Sequence, residues 1–265
     1  MTSFAAATAE MQGMLWSENP RDWAELEEGR TAKLADDVLD ALGVTRGTHV
    51  LDAGCGAGMA ATKAAERGAI VSGLDASAKM IAYAKVRLPE ATFTQGDLAA
   101  MPFEANAFDA TMAINAVFYC DDMTRGMREL ARVTRRGGKV AITAWGRAAE
   151  CELAAVFGAI VGTLPARPPG PGPFALAEPG ALEALLEGAG LERTIRGESR
   201  STFAVPSWES LWRGFFASGP VQSAVRVVGE AKVRDAVHEA ALRFTDASGV
   251  VTMSNTFVWA VAEKA

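Results

Sequence analysis

Val50-Leu51-Asp52-Ala53-Gly54-Cys55-Gly56-Ala57-Gly58 joins an apolar strand end, an acid and three glycines, and Asp75 follows Asp52 by 23 positions. After a parallel strand the backbone must turn sharply into a helix while leaving main-chain N–H groups bare for a bulky ligand. Glycine, having no Cβ, meets that need. Asp75 closes the apolar run Ile70-Val71-Ser72-Gly73-Leu74, which reads as the next strand. A carboxylate at that carboxyl edge is placed to accept both hydroxyls of a ribose. The spacing therefore predicts a nucleotide-type cofactor site, and a bare Gly-x-Gly fits dinucleotides as well.

Composition narrows the class. The 265 residues suffice for one large domain, and 49% hydrophobic residues can fill its core. A formal net charge of −6 argues against a nucleic-acid groove, which needs clustered Lys and Arg. Cys55, Cys120 and Cys151 lack metal-ligand spacing, so no metal is expected. Met1-Thr2-Ser3-Phe4 shows no charged-then-apolar leader, and no run of about 18 apolar residues suggests a membrane span. A cytoplasmic protein is expected, and a homodimer is left open.

Along the chain, Asp22 to Leu42 reads as a helical region closed by Gly43, suited to a left-handed cap. Strands are expected near His49–Leu51, Ala69–Val71, Thr92–Thr94, Ala110–Ile114 and Val140–Thr143, alternating with helices as crossover units of a parallel sheet do. Two further strands are expected at Arg200–Val205 and Phe257–Val261. Segments 147–178, with the run Pro168-Pro169-Gly170-Pro171-Gly172-Pro173, and 207–248 break the rhythm and read as cap insertions. The proline run fits either a surface linker or a pocket-shaping loop.

Four elements then occur in order: the glycine motif; Gly73-Leu74-Asp75-Ala76-Ser77 with Met80; Gly96-Asp97-Leu98 with Pro102-Phe103 and Phe108-Asp109; and Arg136-Gly137-Gly138-Lys139 before Val140-Ala141-Ile142. In this set, which spans residues 35 to 146, the chain resembles the class I S-adenosylmethionine (SAM) dependent methyltransferases. It is nearest to the small-molecule branch that includes quinone-biosynthesis and natural-product enzymes. The resemblance implies a Rossmann-like α/β fold with a seven-stranded mixed sheet, helices on both faces and helical cap insertions. It implies a single domain over residues 1–265, with residues 1–34 as an amino-terminal lid, 35–146 as the SAM-binding core, and 147–178 and 207–248 as caps. The implied cofactor is SAM, and the implied partner is a small-molecule methyl acceptor. A nicotinamide oxidoreductase fits the acid before the first glycine and the later motifs poorly.

Carried onto this sequence, the resemblance gives Asp75 the ribose, and Asp97 beside the Leu98 N–H the adenine amino group. Ala76, Met80 and Leu98 become apolar walls, with Ser77 and Gly96 in the adjoining turns. Gly54, Cys55 and Gly56 let the methionine part approach the backbone, Asn115 meets its amino or carboxylate end, and Asp52 orients the loop or the ammonium. For Asp97 a helix cap is the structural alternative. Met11, Met14, Leu15 and Trp16 fit either a lid over the cofactor or ordinary packing.

Methyl transfer is an in-line displacement on an activated sulfonium, so alignment supplies much of the rate. Candidate catalytic groups are Tyr119, standing where many relatives carry histidine, and His238; His49 reads as structural. An unperturbed phenol ionises near pH 10 and is a poor base at neutrality. Trp16, Phe118, Tyr119, Phe174 and Trp212 are candidate substrate contacts, and with Trp208, Phe215 and Phe216 they would form an aromatic enclosure for an apolar or aromatic acceptor. Trp208, Leu211, Trp212, Phe215 and Phe216 also fall at helical spacing, which core packing explains equally. Retention of the SAM site with another reaction, such as a cyclisation, is the alternative reading.

Overall fold

The computed structural model describes residues 4–166 and 172–265. Its sheet is built from β1 (His49–Ala53), β2 (Ile70–Asp75), β3 (Thr92–Gln95), β4 (Phe108–Ala113), β5 (Thr134–Trp145), β6 (Leu191–Val205) and β7 (Val251–Lys264). The strand order is β3-β2-β1-β4-β5-β7-β6. β1 to β5 run parallel, and β7 inserts antiparallel between β5 and β6. The order reverses between β1 and β4, so the crevice beyond their carboxyl ends is where a ligand has room.

The helices are α1 (Phe4–Leu15), α2 (Pro20–Leu26), α3 (Ala32–Leu42), α4 (Met59–Glu66), α5 (Ala78–Arg87), α6 (Met123–Val133), α7 (Leu153–Thr163), α8 (Ala181–Gly188), α9 (Trp208–Phe216), α10 (Gly219–Val228) and α11 (Glu230–Ala241). α3 shows why they form. Leu34, Ala35, Val38, Leu39 and Leu42 make one buried stripe, and Gly43 at φ 72° closes the helix in the left-handed region. Ser77, Asp122 and Ser207 cap α5, α6 and α9 by accepting backbone N–H groups.

The fold meets the expectation, with corrections in the elements. The helical region expected from Asp22 to Leu42 is broken: α2 stops at Leu26, a 3-10 turn covers Glu28–Thr31, and α3 begins at Ala32. Gly29 lies in that turn, where an added Cβ would come within 2.5 Å of the Phe203 ring. β6 and β7 run far longer than expected because they pair with each other over most of their length, from Leu191↔Lys264 to Val205↔Val251. Arg136-Gly137-Gly138-Lys139 lies inside β5 at a register shift. Cap segment 147–178 contributes α7, and 207–248 contributes α9 to α11. Of the proline run, Pro168 to Pro171 lie outside the described residues.

Phe257 is fully buried and faces Trp145 across the β5–β7 ladder, ring centroids 4.8 Å apart. Phe257→Ala should cost about 3 to 5 kcal/mol in a denaturant titration, the usual loss for a fully buried aromatic. A loss below about 1 kcal/mol would show that the two strands are not coupled through this contact.

Candidate active site

A cavity of about 220 Å³ opens beyond the carboxyl ends of β1, β2 and β4. Its floor is the turn after β1. Gly54 and Cys55 donate their N–H groups to Leu74 O at 2.7 and 3.0 Å, and Gly56 N–H donates to Asp75 Oδ2 at 2.9 Å. Gly54, Gly56 and Gly58 all have positive φ, and a Cβ on Gly54 would overlap that of Ala116. Only glycine fits there. Gly58 precedes α4 with no side-chain cap of its own, and the backbone N–H groups of Met59 and Ala61 donate instead to the Glu28 and Asp52 carboxyls.

Carboxylates surround this floor. Asp75 lines the cavity, and its Oδ1 accepts the Ser77 N–H at 2.8 Å. Burial pushes its carboxyl upward, while the two N–H groups pull the other way. Asp52 is 1% exposed, and its Oδ2 has no hydrogen-bond partner among the described residues. Burial, then the nearby Asp75 charge, raise Asp52 to about 7. Glu28 sits beside them, its carboxyl raised by burial and held by Arg87 at 2.5 Å. Asp97 also lines the cavity, and its Oδ1 accepts the Ala99 N–H at 2.8 Å. It shapes a turn rather than capping a helix. Asn115, at φ 50°, donates its N–H to Thr143 Oγ1 and accepts the Thr143 hydroxyl at its own Oδ1.

A buried carboxylate with one oxygen left unpartnered, beside a cradle that a Cβ would fill, suits a ligand bringing positive charge and needing close backbone contact. The chain's own sequence carries the same message. Residues 51–142 match the family model described as a methyltransferase domain. Over that stretch the chain is similar to class I SAM-dependent methyltransferase domains. It is 34% identical over 117 residues to demethylmenaquinone methyltransferase of Renibacterium salmoninarum, covering 44% of this chain and 49% of that protein. It is 38% identical over 109 residues to malonyl-acyl-carrier-protein O-methyltransferase of Salmonella typhimurium, covering 41% and 43%. The chain thus spans about half the length of the curated relatives it matches. The 4+2 cyclase SpnF shares the fold at TM-score 0.58 and 18% identity, over 97% of this chain and 96% of that one.

Of the cofactor residues expected in this methyltransferase domain, Asp52, Gly54, Cys55, Gly56, Asp75, Ala76, Met80, Gly96, Asp97, Leu98 and Asn115 all line the cavity. Ser77 does not; it is fully buried as the α5 cap, and its hydroxyl lies 2.7 Å from that of Ser17. Trp16 and Tyr119 line the cavity, their rings packed edge to face at 5.5 Å. Burial pushes the Tyr119 phenol well above its ordinary value and the neighbouring Cys120 thiol to about 12, so neither serves as a base near neutrality.

Several expected contacts are corrected. Phe118 leans on the core behind the cavity, and Phe174 packs on Trp145 and Phe157. Trp212 is 6% exposed, stacked between Trp208 and Phe216 as α9 buries its apolar stripe. His238 is exposed on α11 against Trp208, ring centroids 4.5 Å apart, and does not reach the cavity. The apolar part of the cavity wall is formed instead by Trp145, Val156, Phe157, Ile160, Phe215 and Val221, from β5, α7, α9 and α10. Trp23, Glu27, Glu28 and Arg30 also reach the wall and were not expected there. The glycine interrupting Glu27-Glu28-Gly29-Arg30 is the signal in the sequence that marks this turn.

Folded Asp52 keeps its proton to about pH 7, whereas an ordinary Asp releases it near 3.8. The folded state therefore binds more protons across that window, and stability falls as pH rises through it. Each tenfold change in proton affinity is worth about 1.4 kcal/mol, so Asp52→Asn should gain roughly 2 to 4 kcal/mol on wild type between about pH 4 and pH 8. Parallel stability curves for the two proteins would contradict the buried carboxylate with its raised proton affinity.

Proposed function

We propose that this protein transfers the methyl group of SAM to a small, largely apolar acceptor. The carrying observation is the juxtaposition of the glycine cradle, the buried Asp52 with its unpartnered Oδ2 and the aromatic cavity end. SAM supplies an activated methyl on a positive sulfonium, with an ammonium, a ribose and an adenine to be recognised. Asp75 is assigned the ribose hydroxyls; its oxygens keep lone pairs beyond the two N–H groups they already accept. Asp97 and the Leu98 amide are assigned the adenine amino edge, and Met80 the face of the ring. Asp52 and Asn115 are assigned the amino-acid end.

The amino-terminal helix supports the lid reading. Gly13 packs so tightly on Ala76 that an added Cβ would come within 2.5 Å of its carbonyl oxygen. Trp16 packs on Trp23 at 4.8 Å and covers Gly219 at the start of α10. α1 thereby bridges the cofactor turn and the cap. Its other side faces solvent, with Met11 55% and Met14 53% exposed, so those two residues serve neither lid nor core.

Asp52, the lining group raised to about 7, stands at the glycine cradle, so alignment of acceptor and methyl carries the rate. The absence of histidine among the described lining residues, with SpnF as a fold neighbour, favours as second reading a bound SAM with a non-methylating reaction. A product heavier by one methylene separates the two.

Calorimetric titration with SAM and with S-adenosylhomocysteine, NAD serving as control, tests the cofactor assignment. Micromolar binding of the adenosyl ligands alone is expected, and no binding would end the enzyme reading. Asp75→Ala should weaken both by about 1 to 3 kcal/mol, the cost of a lost charged hydrogen-bond partner; unchanged affinity refutes the ribose role. Deleting residues 1–16 should speed S-adenosylhomocysteine release and abolish turnover while leaving a cooperative melt. Full activity after deletion would show that α1 is no lid.

A further inference from the structure

Beyond its own chain neighbours, two atoms lie within 4 Å of the point that a Cβ on Gly56 would occupy: Trp23 Nε1 at 3.6 Å and Glu28 Oε1 at 3.9 Å. No carbon of the indole comes as close, so Trp23 meets the glycine cradle with its N–H edge. The residue is half-buried on α2 and lines the cavity. Its Nε1 has no hydrogen-bond partner among the described residues, yet it is not sealed from the cavity as Trp259 Nε1 is sealed in the core. Trp16 differs, because its indole N–H already donates to Gln12 Oε1 at 3.2 Å. The Trp16 ring packs edge to face on that of Trp23, centroids 4.8 Å apart, and holds it in place.

The cradle has little else to give an anion. The amides of Gly54, Cys55 and Gly58 are spent on the Leu74 and Cys55 carbonyls, and that of Gly56 on Asp75. Those of Ala57 and Met59 turn to Glu28, and that of Ala61 to Asp52. Arg30, the one cation among the described lining residues, is paired with Glu27, and Arg87 is paired with Glu28. The Trp23 N–H is therefore the uncommitted side-chain donor over Gly56. A lone anion there would be repelled by Glu28 Oε1 beside it. An α-amino acid carries an ammonium and a carboxylate on one carbon, and a neutral donor next to an acid is the pair that matches it.

We propose that Trp23 binds the carboxylate of the cofactor's methionine end through its indole N–H, with the ammonium turned to the acids of the cradle. The proposal rests on the SAM reading of this site and adds to the glycine motif a residue of α2. Because Trp16 rests on Trp23, the same contact ties α1 to the bound cofactor.

The test titrates the full chain by calorimetry with S-adenosylhomocysteine and with its decarboxylated form, which lacks the carboxylate alone. Trp23→Phe removes the N–H; it should weaken S-adenosylhomocysteine about tenfold, the loss of one charge-assisted hydrogen bond, and change the decarboxylated form by less than about twofold. Trp23→His keeps a ring N–H at the same place in the five-membered ring. At about pH 8, where an ordinary imidazole is neutral, it should recover most of the loss. A proton–nitrogen correlation spectrum of wild type with assigned indole resonances needs no variant, and it decides the matter where a variant does not melt cooperatively. S-adenosylhomocysteine should move the Trp23 indole proton downfield and slow its exchange with solvent, and the decarboxylated form should do neither. Equal losses of both ligands in Trp23→Phe, no loss of either, a His variant no better than the Phe variant, or an indole proton unmoved by S-adenosylhomocysteine overturns the proposal. Failure of wild type to bind S-adenosylhomocysteine overturns the cofactor reading instead.

Discussion

The turn after β1 is stitched to the end of β2, and the rest of the site depends on that stitch. Gly54 and Cys55 share the Leu74 carbonyl, and Gly56 reaches the Asp75 carboxylate. These bonds fix three consecutive residues in a path that turns their amides toward β2, and positive φ at Gly54 and Gly56 is the condition for it. One consequence is that Asp75 is oriented before any ligand arrives, since both of its oxygens already hold backbone donors. Another is that α4 starts without a cap from its own flanking residue, its first amides turned to the Glu28 and Asp52 carboxyls beside the cavity.

The same packing concentrates acids. Asp52 is carried inward by β1, whose neighbours β2 and β4 shield it on both sides, and Glu28 is brought over the glycine turn by the tight Glu28–Thr31 turn and held by Arg87. Carboxylates this close in a poorly solvated space do not all ionise freely, which is why burial and the Asp75 charge lift Asp52. A cationic ligand relieves that conflict. The fold therefore stores an unfavourable arrangement that a sulfonium- and ammonium-bearing molecule reverses, and an uncharged adenosyl compound relieves less.

The sequence was most legible where backbone geometry leaves one residue type able to serve. Gly54, Gly56 and Gly58 are such positions, and so is Asp75 at a strand end; eleven of the residues read from these motifs reach the cavity wall. The aromatics were not legible. Trp212 and Phe215 lie on the same helix, yet one is stacked between its neighbours and the other faces the cavity. Helical spacing fixes which residues share a face but not what covers it. His238 misleads for the same reason: α11 turns its buried Val233 and Val237 toward α7 and leaves the imidazole outside. Arg30 escapes a reading by apolar pattern, because a buried ion pair with two aromatic neighbours looks from sequence like a solvated charge run.

The lining also constrains the chemistry. With Tyr119 and Cys120 pushed above the range where they release protons readily, Asp52 is the lining group raised to near neutrality, and it stands at the glycine cradle rather than at the aromatic end. Strong proton abstraction from the acceptor is therefore not what this wall is built to do. Alignment of the two reactants in a closed apolar space is then the means left for lowering the barrier, because a displacement on an activated centre gains most from fixed geometry.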